Sequence, residues 1–167
     1  FQTDRMSRDD GWRLLSIGRH IERLDFLADA LAQALQAKLL QEQAGYDAVL
    51  RLFDSTISFH AQYQQSRTAL ALMDVLVNNP DNPRSLAWVA HTLRSRLLRM
   101  EHLADAGTRQ LAALLPAPQP SETSEAQALL ALPTWLADYR RSVRKVSEGL
   151  SSLFFTHSGL MAHSVST

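Results

Sequence analysis

The sequence predicts an all-α fold, an antiparallel bundle of about four long helices with one or two short ones. Three observations predict it. Apolar residues recur at alternating spacings of three and four over long stretches, glycine and proline cluster at a few breaks, and no segment shows the two-residue alternation of a strand.

The first helix is expected from Asp9 to Leu39, with Asp9 or Asp10 as its cap. Leu14, Ile17, Ile21, Leu24, Ala28, Leu31 and Leu35 form a seam suited to shallow-angle packing. The second starts near Gly45 and presents Tyr46, Leu50, Phe53, Ile57 and His60. It loosens around Ser66 to Thr68 and continues briefly to Val77. The third starts after the Asn79 to Pro83 turn, where Asn82 can cap and Pro83 suits the first helical position. Its seam runs through Leu86, Ala90, Leu93, Leu97, Met100, Ala104, Gly107, Leu111 and Leu114, which makes one helix of about 50 Å at ~1.5 Å rise per residue. A proline-rich linker, 116–121, follows. Then come a weak helix over Glu122 to Leu130 and a longer one from Pro133 to about Phe155, carrying Leu136, Tyr139, Val143, Val146, Leu150 and Leu153. The polar tail, 157–167, is expected to fray. Breaks at Gly45, Pro80 and Pro116 favour a chain that folds back on itself over an extended coiled coil. Residues 1–167 therefore read as one helical domain.

Composition narrows the function. Seventeen basic and seventeen acidic residues cancel, so no global field gathers nucleic acid or anionic lipid. Arginine dominates the basic set, which suits phosphate and carboxylate recognition but also follows from a GC-rich genome. The absence of cysteine excludes disulfides, thiolate metal sites and cysteine nucleophiles, and is compatible with a reducing cytoplasmic home. No segment has the length and apolarity of a membrane span, and a soluble protein is expected. The chain begins at Phe1 with few residues before the first helix, which reads as a piece cut from a longer protein.

The first helix carries a second stripe, Trp12, Leu15, Arg19, Glu22, Phe26 and Asp29. The presence of Trp and Phe predicts that other helices cover it, which would partly bury Arg19 and Glu22. Three readings stand: an Arg19–Glu22 pair that fixes packing; a ligand-facing site in which Glu22 is acid, base or cation ligand while Arg19 and Arg23 hold an anion; and plain solvent exposure.

The run Gly11-Trp12-Arg13-Leu14-Leu15-Ser16-Ile17-Gly18-Arg19-His20-Ile21-Glu22-Arg23 resembles the GW-x-x-L-x-x-GR-x-x-ER signature of the alpha-E family, an all-helical bacterial family named for its helices and glutamate. Asn82-Pro83-Arg84-Ser85-Leu86-Ala87 resembles a second signature, and the similarity extends from about Met6 to Leu115. His20 departs from the pattern, where arginine is common, as do Leu24 and Asp25, where a small residue often follows. The family pattern holds two GR-x-x-ER copies, and this chain has the second. The resemblance thus implies the C-terminal half of a longer protein, with the N-terminal half as a partner. It further implies an auxiliary role beside a circularly permuted ATP-grasp ligase and a transglutaminase-like protein, in making or modifying peptide (amide) bonds. By the same resemblance the ligand- or partner-binding candidates are Trp12, Arg19, Glu22, Arg23, Asn82, Arg84 and Ser85, and Gly18 lets a neighbouring helix approach. No cofactor or metal is expected. The alternative is a structural or oligomerising scaffold without a ligand site, and a helical enzyme with its own site is the third class.

Other constellations are weaker. His91 and His102 lie about 16 Å apart along a helix, too far to share an ion, and Glu101, His102 and Asp105 lack the di-iron order. His60 reads as a hydrogen-bonded core histidine, and Ser55 and Ser58 near it lack a nucleophile's context. Arg140, Arg141, Arg144 and Lys145 form a basic run on an outer helix face, where solvated charge competes with contact to phosphate or an acidic partner.

Overall fold

The computed structural model describes residues 7–100, 107–116 and 124–156, and among these no strand occurs. Helix α1 (Arg8–Gln36) is capped by Ser7. Its hydroxyl accepts the Asp10 N–H at 3.1 Å, while the Asp10 carboxylate accepts the Ser7 N–H at 3.2 Å. The cap therefore sits at Ser7, with Asp10 as the reciprocal half of a capping box. The helix stops short of Leu39 because Lys38 turns left-handed at φ 58°, and a single 3-10 turn, Leu39–Gln41, follows.

The expected second helix is three short ones: α2 (Gln43–Leu52), α3 (Thr56–Tyr63) and α4 (Ala69–Met73), the last widening into a π-type turn, Asp74–Asn78. Asp54 causes the first break by adopting φ 49°. The break resets the phase of the apolar pattern: Phe59 is fully buried, whereas Ile57, expected on the seam, is 86 % exposed. His60 leaves the core for the same reason, and its Nδ1 lies 2.8 Å from the Gln64 carbonyl. The Tyr46 hydroxyl, whose pKa burial raises, donates to the Thr68 carbonyl at 2.7 Å and ties α2 to the start of α4.

Helix α5 (Leu86–Arg99) is capped by Ser85, whose hydroxyl accepts the Trp88 N–H at 3.0 Å. It does not continue to Leu114. Met100 leaves helical geometry, residues 101–106 lie outside the described set, and α6 (Gly107–Leu114) packs beside α5, which the far end of one straight helix cannot do. Glu101, His102, Ala104 and Asp105 lie outside the described residues. Helix α7 (Glu125–Ser151) runs through Pro133 and ends in a π-type turn, Ser152–Thr156. The two segments expected on either side of Pro133 are one helix because the proline is exposed. The carbonyl it leaves without a helical donor belongs to Leu129, which also faces solvent. Of the linker only Pro116 is described, and 157–167 lie outside the described residues.

The four longer-range neighbours α1, α5, α6 and α7 form an up-down bundle. Arg140 on α7 reaches Asp25 at 3.2 Å and Asp29 at 3.0 Å, whereas Leu150 lies near Gly11 and Leu14, so α1 and α7 run antiparallel. Arg96 near the end of α5 covers Trp12 near the start of α1. Gly107 meets Leu153 and Gly149 meets Leu111, which sets α6 against α7. The seams meet in one core that includes Ile17, Leu24, Leu31, Leu93, Leu97, Leu136, Val143 and Val146, each buried leucine-sized side chain contributing about 1.5–3 kcal/mol.

A carboxylate from α7 caps α4 across the fold. The two Glu125 oxygens accept the N–H groups of Ala69 and Leu70, joining Thr68, which caps Ala71 at 3.0 Å. Two otherwise orphaned donors and a helix dipole are satisfied at once. Glu125→Ala is expected to lower stability by about 1–2 kcal/mol, read as a shifted urea midpoint. An unshifted midpoint would show that water replaces the carboxylate freely.

Candidate functional site

The outer face of α1 gathers four of the sequence candidates. The inner face is already occupied by α5 and α7, and a bundle helix with two neighbours keeps an outward side. Trp12 and Phe26 are consequently 59 % and 57 % exposed, Leu15 is likewise open, and Arg19, Glu22 and Arg23 are exposed. This corrects the expectation that other helices cover the stripe. Apolar residues on a surface are common, so burial does not follow from the presence of Trp or Phe. Among the described residues Arg19, Glu22 and Arg23 make no ion pair, so the packing pair between Arg19 and Glu22 is not formed.

Two grooves meet at Glu22. One of about 470 Å³ is lined by Gly11, Leu14, Leu15, Gly18, Arg19 and Glu22 of α1 with Leu150 of α7. The other, of about 170 Å³, lies between Ile21, Glu22 and Asp25 on α1 and Val143, Arg144 and Ser147 on α7. The two glycines lie on the groove's own wall, and a Cβ built on either meets no described atom within 4 Å. Gly18 therefore does not serve the close helix approach expected of it, and its effect is to leave bare backbone beside Arg19 and Glu22. Each glycine costs the helix up to about 1 kcal/mol relative to alanine.

Trp12 borders this face, with the Arg96 guanidinium 5.1 Å from its ring centroid, a cation–π distance. Arg96, Arg144 and Leu150 come from α5 and α7, and no local pattern in the sequence pairs them with α1. The basic run is divided: Arg140 binds Asp25 and Asp29, Arg141 pairs with Asp138, and Arg144 lines the smaller groove.

Asn82, Arg84 and Ser85 belong to the turn before α5. Asn82 and Ser85 are buried. Asn82 donates to Ser55 Oγ at 3.1 Å and to the Val75 carbonyl at 2.9 Å, and its Oδ1 accepts the Arg84 N–H at 3.1 Å. The Ser85 hydroxyl donates to the Asn79 carbonyl. Ser85, not Asn82, caps α5, because the turn tightens before the helix starts. Arg84 is exposed and reaches Asp54 at 3.1 Å. No hydrogen bond or ion pair among the described residues joins this cluster to Arg19 or Glu22. Ser55, considered as a nucleophile, is buried and donates to the Phe53 carbonyl at 3.0 Å. No three His, Asp or Glu side chains among the described residues converge as a metal site, and no helix among them is long and apolar enough to cross a membrane.

A family model described as "a predicted alpha-helical domain with a conserved ER motif" matches residues 1–155. The match spans nearly the whole chain, so the expectation of a C-terminal half only is not borne out. No curated protein and no solved structure matches the chain.

Proposed function

The chain belongs to the Alpha-E family, and from that membership we propose that it is an auxiliary helical module, cytoplasmic and without chemistry of its own, serving an ATP-grasp ligase and a transglutaminase-like protein that make or modify peptide (amide) bonds. One observation carries this reading. Gly11, Gly18, Arg19 and Glu22 of the motif line a single open groove, with Arg19 and Glu22 unpaired and with no packing reason for Gly11 or Gly18 among the described residues. A guanidinium and a carboxylate three residues apart on one helix face match the two ends of an amino acid or peptide. Glu22 takes the ammonium, and Arg19, assisted by Arg23, takes the carboxylate. Leu14, Leu15 and Leu150 supply the apolar wall, and Trp12 lies exposed on the same helix. In this reading Asn82, Arg84 and Ser85 act through the fold by setting where α5 begins.

The test is Glu22→Gln in the system reconstituted with ligase and transglutaminase-like protein. Product formation is expected to fall at least roughly tenfold, as loss of a charge-assisted contact implies, while the melting temperature holds because Glu22 is exposed and unpaired. A stability loss with unaltered turnover would reject the reading.

A second reading, an oligomerising scaffold, is favoured by the self-complementarity of the same face. In an antiparallel pairing of two α1 helices that sets Arg19 against Glu22 of a second copy, Leu15 meets Phe26 and Gly11 meets Ala30. Under that reading light scattering gives twice the monomer mass, Arg19→Glu dissociates the pair, and the Arg19→Glu, Glu22→Arg double variant restores it. A monomer at every concentration disposes of it.

A further inference from the structure

A second polar feature lies between α5 and α7, away from the ER groove. Trp135 and Tyr139, four residues apart on α7, pack with their rings tilted at 43° and centroids 4.9 Å apart. Tyr139 is only 4 % exposed, and among the described residues no group accepts from or donates to its hydroxyl. Across from it, α5 presents Ala87, Ala90 and Arg94 on one face. The two alanines are too small to reach α7, and a cavity of about 30 Å³ remains, bordered also by Pro116. Arg94 is half-buried and makes no hydrogen bond or ion pair among the described residues.

Of the polar side chains bordering this cavity, the Arg94 guanidinium and the Trp135 indole carry donors only, and the Tyr139 hydroxyl can donate as well as accept. A half-buried cation without a counter-charge, in a setting rich in donors, favours negative charge. Room for a water begins at about 10–15 Å³, so the cavity takes one or two water-sized particles. Burial pushes the Tyr139 pKa upward, so the hydroxyl keeps its proton and stays a donor near neutral pH.

From this arrangement we infer that the protein binds a single halide-sized anion between Arg94 and Tyr139, joining α5, α7 and Pro116. The ion is a structural ligand, and its binding adds to stability in proportion to its occupancy.

The probe is chloride itself, followed by the excess line width of its ³⁵Cl resonance on titration into the full chain. The expected result is saturable broadening that bromide abolishes. Arg94→Gln should weaken binding at least tenfold and Tyr139→Phe several-fold, with each variant's fold checked by circular dichroism in chloride-free buffer. Ala87→Val fills the cavity while keeping the charge, and should also release the ion if Arg94→Gln does not fold. No excess broadening in the wild-type chain, or broadening equal in well-folded Arg94→Gln and Ala87→Val, overturns the proposal, the cavity then holding water alone.

Discussion

Asn82→Ala is expected to remove about 2–4 kcal/mol of stability. The side chain is 5 % exposed and joins the break after α2 at Ser55 and the π-type turn at Val75 to the entry of α5 beside it at Arg84. Truncation strands the buried Val75 carbonyl, at roughly 1–3 kcal/mol, removes three side-chain hydrogen bonds in all and leaves the part-buried Arg84 N–H to water. Ser55 suffers less, because its hydroxyl still donates to Phe53. Asn82→Asp sharpens the experiment: it keeps the acceptor toward Arg84, loses both donors and adds a charge in a buried site, so it should be at least as damaging. Urea midpoints for both variants decide the matter, and a loss below about 1 kcal/mol for alanine would mean that water enters the turn and replaces the side chain. The effect reaches the outer face indirectly, since the turn sets the start of the helix that carries Arg96 to Trp12.

Sequence pattern located the inner seams because burial on one face of a helix imposes a period. Ile17, Ile21, Leu24, Ala28 and Leu31 are all buried, as are Leu136, Tyr139, Val143, Val146 and Leu150. Backbone events inside a seam left no such trace. Asp54 turning left-handed is a local choice that apolar spacing does not register, and it carries Ile57 outward. Pro133 misled in the other direction, because water can replace the hydrogen bond a proline removes where proline and freed carbonyl both face solvent. The motif itself marked Arg19 and Glu22, but the side they face depends on how many neighbours α1 has, a property of the whole bundle. Leu150 and Arg144, which complete the grooves, are set by antiparallel docking over more than a hundred residues of chain, beyond any local period.

The glycines supply the second large effect, through a contrast of sign. Gly45→Ala is expected to destabilise by about 2–4 kcal/mol, although alanine is the better helix former. Gly45 lies in the first turn of α2, directly under the 3-10 turn that returns the chain from α1, and a Cβ there would sit 2.2 Å from the Leu39 carbonyl oxygen and 2.9 Å from its carbon. Those atoms are backbone, so no rotamer change relieves the overlap. The turn must open, with the overpacking cost that implies. Gly18→Ala should instead raise stability by about 0.5–1 kcal/mol, since its Cβ enters open space in a helix interior. The same substitution narrows the groove beside Glu22, so the more stable variant should also be the poorer binder. Measured side by side by thermal melting, the two changes must move in opposite directions. Equal shifts would show that Leu39 does not close over Gly45, and the reversal between α1 and α2 would need a different cause.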